Sequence, residues 1–185
     1  KMAQAKASGC FAVAMDVDAA GLPFLKNMTP PAGSKSVAEL KEIVELAGKP
    51  FIVKGIMTVK GALKAKEAGA AAIVVSNHGG RTLADTPGTA AVLPRIVDKV
   101  NGRCFVMVDG TLARGTDVEK YVAIGADCTL AGRHFVRAAH GGLADGVALF
   151  ANKIKNELAV AMVLTGAQTV KDINRSMVVI PEYKA

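Results

Sequence analysis

Residues 73 to 81 read Ile-Val-Val-Ser-Asn-His-Gly-Gly-Arg. The abrupt change from an apolar run to a hydroxyl, an amide, an imidazole and a guanidinium marks a buried strand whose tip opens into a reactive loop. A base, His78, and a cation, Arg81, stand three positions apart there. Gly79 and Gly80 between them let the backbone turn sharply or approach a ligand closely, so the two side chains can converge on one small molecule. His78 suits a general base, and Arg81 offers a carboxylate or a phosphate a two-pronged set of donors. A satisfied or exposed imidazole and a surface arginine are the ordinary alternatives. They hold for His134 and His140, which no such motif surrounds.

The elements that must carry this loop repeat a single unit. Apolar runs at Phe11 to Met15, Phe51 to Val53, Ala71 to Val75, Cys104 to Val108 and Cys128 to Ala131 read as five strands. Helical segments alternate with them. Gly9 closes a helix over Lys1 to Ser8, and Ser36 with Glu39 has capping-box spacing before Val37, Leu40, Ile43, Val44 and Leu46, with Gly48 as the stop. Thr58 caps an alanine-rich helix that ends at Gly69, a helix from Thr89 to Val100 stops at Asn101-Gly102, and Thr116 caps a short one that ends at Gly125. A longer helix carries Leu143, Val147, Leu149, Ile154, Leu158 and Met162. The Gly- and Pro-rich stretch from Gly21 to Ser34 is a loop of functional length.

Strands alternating with helices predict a parallel α/β sheet of βαβ units. Asp16, Lys54, Ser76, Asp109 and Arg133 each fall just after an apolar strand, and parallel strands place all such tips on one face. That face is the expected active face. Five units do not close an eight-stranded barrel, which typically takes about 250 residues. A doubly wound sheet can be complete with five strands, yet its glycine-rich dinucleotide turn is missing after the first strand, where Asp16-Val17-Asp18-Ala19-Ala20-Gly21 stands instead. The reading is therefore one domain over residues 1–185, an incomplete (β/α)8 barrel that begins in mid-fold.

Composition narrows the function. With 51% hydrophobic and 21% charged residues, the 185-residue chain can bury a sizeable core. No apolar run approaches the roughly 18 residues that span a bilayer, and no signal-peptide core opens the chain, so the cytoplasm is the default expectation. Cys10, Cys104 and Cys128 have no metal-ligand or redox spacing, their odd number suits a reducing compartment, and no metal is expected. The net charge of +7 is spread over helical segments, and with no Trp and two Tyr, Tyr121 and Tyr183, a stacking surface for bases is missing. Nucleic acid is not an expected partner.

Val53-Lys54-Gly55, Ser76-Asn77-His78-Gly79-Gly80-Arg81, Asp109-Gly110 with Arg114-Gly115-Thr116-Asp117, and Gly132-Arg133 together resemble the FMN-dependent α-hydroxyacid oxidase and dehydrogenase family, which includes glycolate and lactate oxidases. The match covers nearly the whole chain in order, and Ser-Asn-His-Gly-Gly-Arg is its most specific part. The resemblance implies a (β/α)8 barrel of which these residues form strands four to eight, with FMN as cofactor and a small 2-hydroxy acid as substrate. It implies that His78 takes a proton from the substrate hydroxyl or α-carbon, that Arg81 pairs with the substrate carboxylate, and that Asp16 orients the histidine. Lys54 is placed beside the flavin ring, Ser76 touches the ring or merely caps its strand, and Asp109, Gly110, Gly132 and Arg133 serve the ribityl chain and phosphate.

One departure stands out. The family shows Asp-Gly-Gly and then an arginine two residues on, whereas this chain has Thr111 and Ala113, which removes one phosphate ligand. The alternatives are a non-catalytic half-barrel that binds FMN or another phosphate ligand, and a different phosphate-binding barrel enzyme such as an isomerase. The expected associations are a homo-oligomer or pairing with a segment that supplies the first strands.

Overall fold

The computed structural model describes residues 2–29 and 32–181. Lys1 of the expected first helix, Pro30 and Pro31 of the long loop, and Tyr183 lie outside the described residues. The chain divides into two compact units, Lys1–Met107 and Val108–Ala185. The first holds α1 (Met2–Ala7), β1 (Val13–Asp16), α2 (Pro23–Lys26), α3 (Val37–Ala47), β2 (Phe51–Ile56), α4 (Val59–Glu67), β3 (Ala72–Val75), α5 (Thr89–Val100) and β4 (Phe105–Val108), whose last residue opens the second unit. The second holds α6 (Gly115–Ile124), β5 (Cys128–Thr129) and α7 (Arg133–Thr165).

The strand order is β1-β2-β3-β4-β5, and β1 pairs with β2, and β2 with β3, in parallel. A doubly wound sheet reverses its order at a switch point, whereas a (β/α)8 barrel adds each strand beside the last, so this order is that of an incomplete barrel. Every residue of β3 is buried, as both faces of an inner parallel strand should be. Phe51, Val53, Ile73, Leu93 and Ile96 are among the most buried side chains of the first unit.

Local signals set most boundaries. Ser36 Oγ accepts the Glu39 N–H and the Glu39 carboxylate accepts the Ser36 N–H, and α3 stops at Gly48 in the left-handed region. Thr58 Oγ1 accepts the Gly61 N–H at the start of α4. The expected cap at Thr116 is corrected. Asp117 reaches back to the N–H groups of Ala113 and Arg114, both at 3.0 Å, so α6 begins at Gly115 and Thr116 lies inside its first turn. β2 runs past Lys54 to Ile56, because Gly55 continues the strand through an irregularity rather than ending it. The long last helix has non-helical backbone at Gly142 and Leu143.

Gly115 fixes the α6–α7 contact of the second unit. A Cβ there would lie 2.1 Å from Leu158 N and 2.5 Å from Ile154 O, both backbone atoms of α7 that cannot swing aside. Gly115→Ala is therefore expected to lose about 3 kcal/mol of stability, read as a lowered urea midpoint.

Three carboxyls are held below the usual carboxylate range: Glu39 by the N–H and then the hydroxyl of Ser36, Glu157 by Lys153 and then the Gly115 N–H, and Asp172 by the N–H and then the hydroxyl of Thr169. A carboxyl whose pKa is lower in the folded than in the unfolded chain stabilises the fold above the unfolded value. That contribution is lost as pH falls through the folded value. The urea midpoint should thus decline below the ordinary glutamate value of 4.5, and Glu157→Gln should flatten part of the decline. A midpoint that rises on acidification would refute the sign.

Candidate active site

β1 ends at Asp16, and Asp18 follows two residues on, where the chain turns away from the strand. The parallel register sets Asp16 opposite Lys54 of β2, and their side chains form an ion pair with Oδ1 2.7 Å from Nζ. Directly after Lys54 the strand is irregular: the register to β3 shifts between Lys54 and Ile56, and Gly55 between them has φ 99°. Such a bulge re-aims the side chains around it. It also leaves room. A Cβ on Gly55 would stand 2.5 Å from Asp18 Cγ and 2.7 Å from its Cβ and Oδ1, so the Asp18 carboxyl lies where a side chain at 55 would be.

The loop after β3 carries His78. His78, Gly79 and Gly80 have φ 52°, 65° and 77°, three successive residues in the left-handed region. For the histidine this conformation costs about 1–2 kcal/mol and persists only where neighbours enforce it. They do. Asn77 Oδ1 accepts the Gly79 N–H at 2.9 Å while Asn77 Nδ2 donates to Thr86 Oγ1 and to the Pro87 carbonyl, each at 3.1 Å. Ser76 Oγ accepts the His78 N–H at 3.3 Å from below.

These constraints aim the imidazole. Nδ1 lies 2.7 Å from Asp18 Oδ2, and a carboxylate partner fixes the proton on Nδ1. Nε2 is then the lone-pair nitrogen, with Lys54 Nζ 3.1 Å away. The result is a continuous row, Asp16, Lys54, His78, Asp18, in which a neutral imidazole stands between an ammonium and a carboxylate. Asp18 is the more enclosed acid, its side chain 12% exposed against 46% for Asp16, and its Oδ1 is buried with no hydrogen-bond partner among the described residues. The ligand atoms of Asp16, Asp18 and His78 come within 4.8 Å of one another, a spacing open to a metal ion. A cation entering there would have to displace the ammonium already bonded to two of the three.

Arg81 follows in the same loop, exposed, with Nε donating to the His78 carbonyl at 3.0 Å. His78 and the Arg81 guanidinium are thus tied through backbone. In the second unit, Asp109 and Gly110 follow β4 and Gly132 and Arg133 follow β5. Thr111 has φ 51°, a left-handed position that favours the glycine of the family pattern, and its hydroxyl accepts from Arg133 Nη2 at 3.4 Å. Tyr121 donates its hydroxyl to the Gly110 carbonyl at 3.3 Å. Arg133 opens α7, and a Cβ at Gly132 would meet no atom within 4 Å.

Asp16, Lys54 and His78 therefore come together as expected from the sequence, but in different pairings. Asp18, not Asp16, holds His78 Nδ1; Asp16 is drawn to Lys54 by the strand register. Ser76 is fully buried, and its hydroxyl oxygen accepts the His78 N–H. Three contributors were missed: Asp18, Gly55 and Asn77. The repeat of aspartate at i and i+2 after β1 signals that either can face the histidine, and Asn77 before a histidine and two glycines is a residue type that pins turns through its side chain.

A family model for FMN-dependent dehydrogenases matches residues 24–180. A peroxisomal (S)-2-hydroxyacid oxidase of Arabidopsis thaliana is 44% identical over 78% of this chain and 39% of its own length, and an L-lactate oxidase of Lactobacillus jensenii is 42% identical over 75% and 34%. A mandelate oxidase variant solved with a monooxide FMN adduct superimposes with a TM-score of 0.83 at 33% identity, over 94% of this chain and 56% of its own. The chain spans about two fifths of the length of the first of these curated relatives. No helix of the described residues is long and apolar enough to cross a membrane. A match that runs across both units, joined to a histidine loop and strand order that fit it, shows that the chain belongs to the FMN-dependent dehydrogenase family.

Proposed function

We propose that the chain carries the acid–base half of an FMN-dependent oxidation of a small 2-hydroxy acid to the 2-oxo acid. The observation that supports it best is the clamp on His78: Asp18 at 2.7 Å from Nδ1 leaves Nε2 as the proton acceptor. His78 takes the proton from the substrate hydroxyl or α-carbon at Nε2, and Asp18 stabilises the imidazolium that results. Arg81, tied to the His78 carbonyl, fixes the substrate carboxylate by paired charged hydrogen bonds.

The donor set suits FMN. The ammonium of Lys54 suits an electron-rich ring, and the guanidinium of Arg133 with the open helix start at Gly132 suits a dianionic phosphate. Asp109 and Gly110 serve the ribityl chain. Ser76 stays beneath the loop as its support. FMN, when bound, takes up the two electrons that leave the substrate. Ala113 offers no charge where the family has its arginine, so Arg133 carries more of the phosphate. The substrate is a small 2-hydroxy acid, the compartment is a reducing one such as the cytoplasm, in keeping with three free cysteines, and association is with a second copy or with the segment that supplies the first barrel strands.

The test is spectroscopic. The chain is titrated with FMN, and glycolate, lactate and mandelate are added anaerobically. Bleaching of the flavin band by at least one of them is expected. FMN binding without bleaching would favour a binding-only half-barrel, and no binding at all would sink the proposal.

A further inference from the structure

Because Asp18 occupies His78 Nδ1, the second carboxylate of the row does not orient the imidazole. Asp16 Oδ1 instead lies 2.7 Å from Lys54 Nζ and 3.9 Å from His78 Nε2. We propose that Asp16 is a positioning residue that acts through Lys54, governing how far the ammonium covers the Nε2 lone pair; this rests on the reading of His78 as the base.

The ammonium has three donors, and two of its acceptors compete across the row. A carboxylate is the stronger of them, since a hydrogen bond between two opposite charges outweighs one to a neutral ring nitrogen. Backbone register keeps the stronger pair close: Asp16 and Lys54 are opposed residues of β1 and β2, so the ion pair follows from the strand alignment. When Nε2 takes a proton it stops accepting and becomes a charged donor 3.1 Å from an ammonium. Lys54 must then withdraw, and Asp16 is the partner it withdraws to. With residue 16 neutral the ammonium loses its charge-paired acceptor, the bond to Nε2 gains weight, and protonation of the ring is opposed. Among the described residues, the groups that face the ring are Asp16 from β1, Asp18 from the segment after it and Lys54 from β2, while Arg81 donates to the His78 carbonyl.

The experiment follows the ring protons of His78 by NMR titration in the flavin-free chain, where only three histidines need assignment. Asp16→Asn is expected to lower the His78 titration midpoint by about one pH unit, a tenfold change in its acid dissociation constant, and Asp16→Glu to restore most of it. In a Lys54→Met background the same Asp16→Asn change is expected to shift the midpoint by less than half as much. An unmoved midpoint, or equal shifts in both backgrounds, overturns the proposal. Asp16→Asn keeps the size of a half-exposed side chain, and a thermal melt verifies that each variant is folded; if Lys54→Met does not fold, Lys54→Gln replaces it. Since no flavin is present, a chain that fails to bind FMN or to bleach it would remove the functional reading while leaving this result to stand or fall alone.

Discussion

His78→Asn is expected to reduce kcat for the preferred 2-hydroxy acid about a thousandfold in the FMN-loaded chain while changing KM by less than about fivefold. Asparagine is the right replacement because residue 78 sits at φ 52°, and asparagine is among the few residues that enter the left-handed region readily. The loop should therefore keep its path, with the Ser76 and Asn77 hydrogen bonds intact, and the loss reports the missing proton acceptor rather than a collapsed turn. FMN affinity should be unchanged, since the imidazole has no part in the proposed phosphate or ribityl contacts. Stopped-flow bleaching under nitrogen measures the step directly. A fall of less than threefold would mean that another group accepts the proton.

The loop's unusual backbone path was legible because residue types and conformation coincide there. A buried run that ends in Ser-Asn-His-Gly-Gly-Arg has few structural uses, and the two glycines mark positions whose φ is in fact positive. Strand tips were legible too, since five apolar runs ended in polar residues, and the sequential strand order confirmed the incomplete barrel over a doubly wound sheet. Pairing within the site was not. Which aspartate meets His78 depends on the register that sets Asp16 against Lys54 and on the irregularity at Gly55, both products of long-range strand alignment that no local pattern records. Helix starts failed in a similar way: Thr116 looks like a cap by type, yet Asp117 one residue on has the reach and charge to take two backbone N–H groups, and the contact of Gly115 with α7 pulls the helix start earlier.

Gly55→Ala should be the most damaging substitution outside the base itself. Two costs add. At φ 99° an alanine is strained by roughly 1–2 kcal/mol whatever surrounds it. Its methyl would also be placed 2.5 Å from Asp18 Cγ and 2.7 Å from Asp18 Cβ, and since Cβ is tied to the backbone the carboxyl cannot escape by rotation alone. Either β2 or the segment after β1 must move, and with it the 2.7 Å bond that orients His78. A stability loss of about 3 kcal/mol and a fall in kcat of about a hundredfold are expected, the second because a misdirected imidazole loses both its tautomer and its aim. The two effects separate in a double variant. Asp18→Gly removes the atoms that the methyl strikes, so Gly55→Ala combined with Asp18→Gly should regain most of the stability lost to the clash while kcat stays low. If the double variant were no more stable than Gly55→Ala alone, backbone strain at residue 55 and not the Asp18 contact would be the cause, and the glycine would be a requirement of the strand rather than of the histidine's partner.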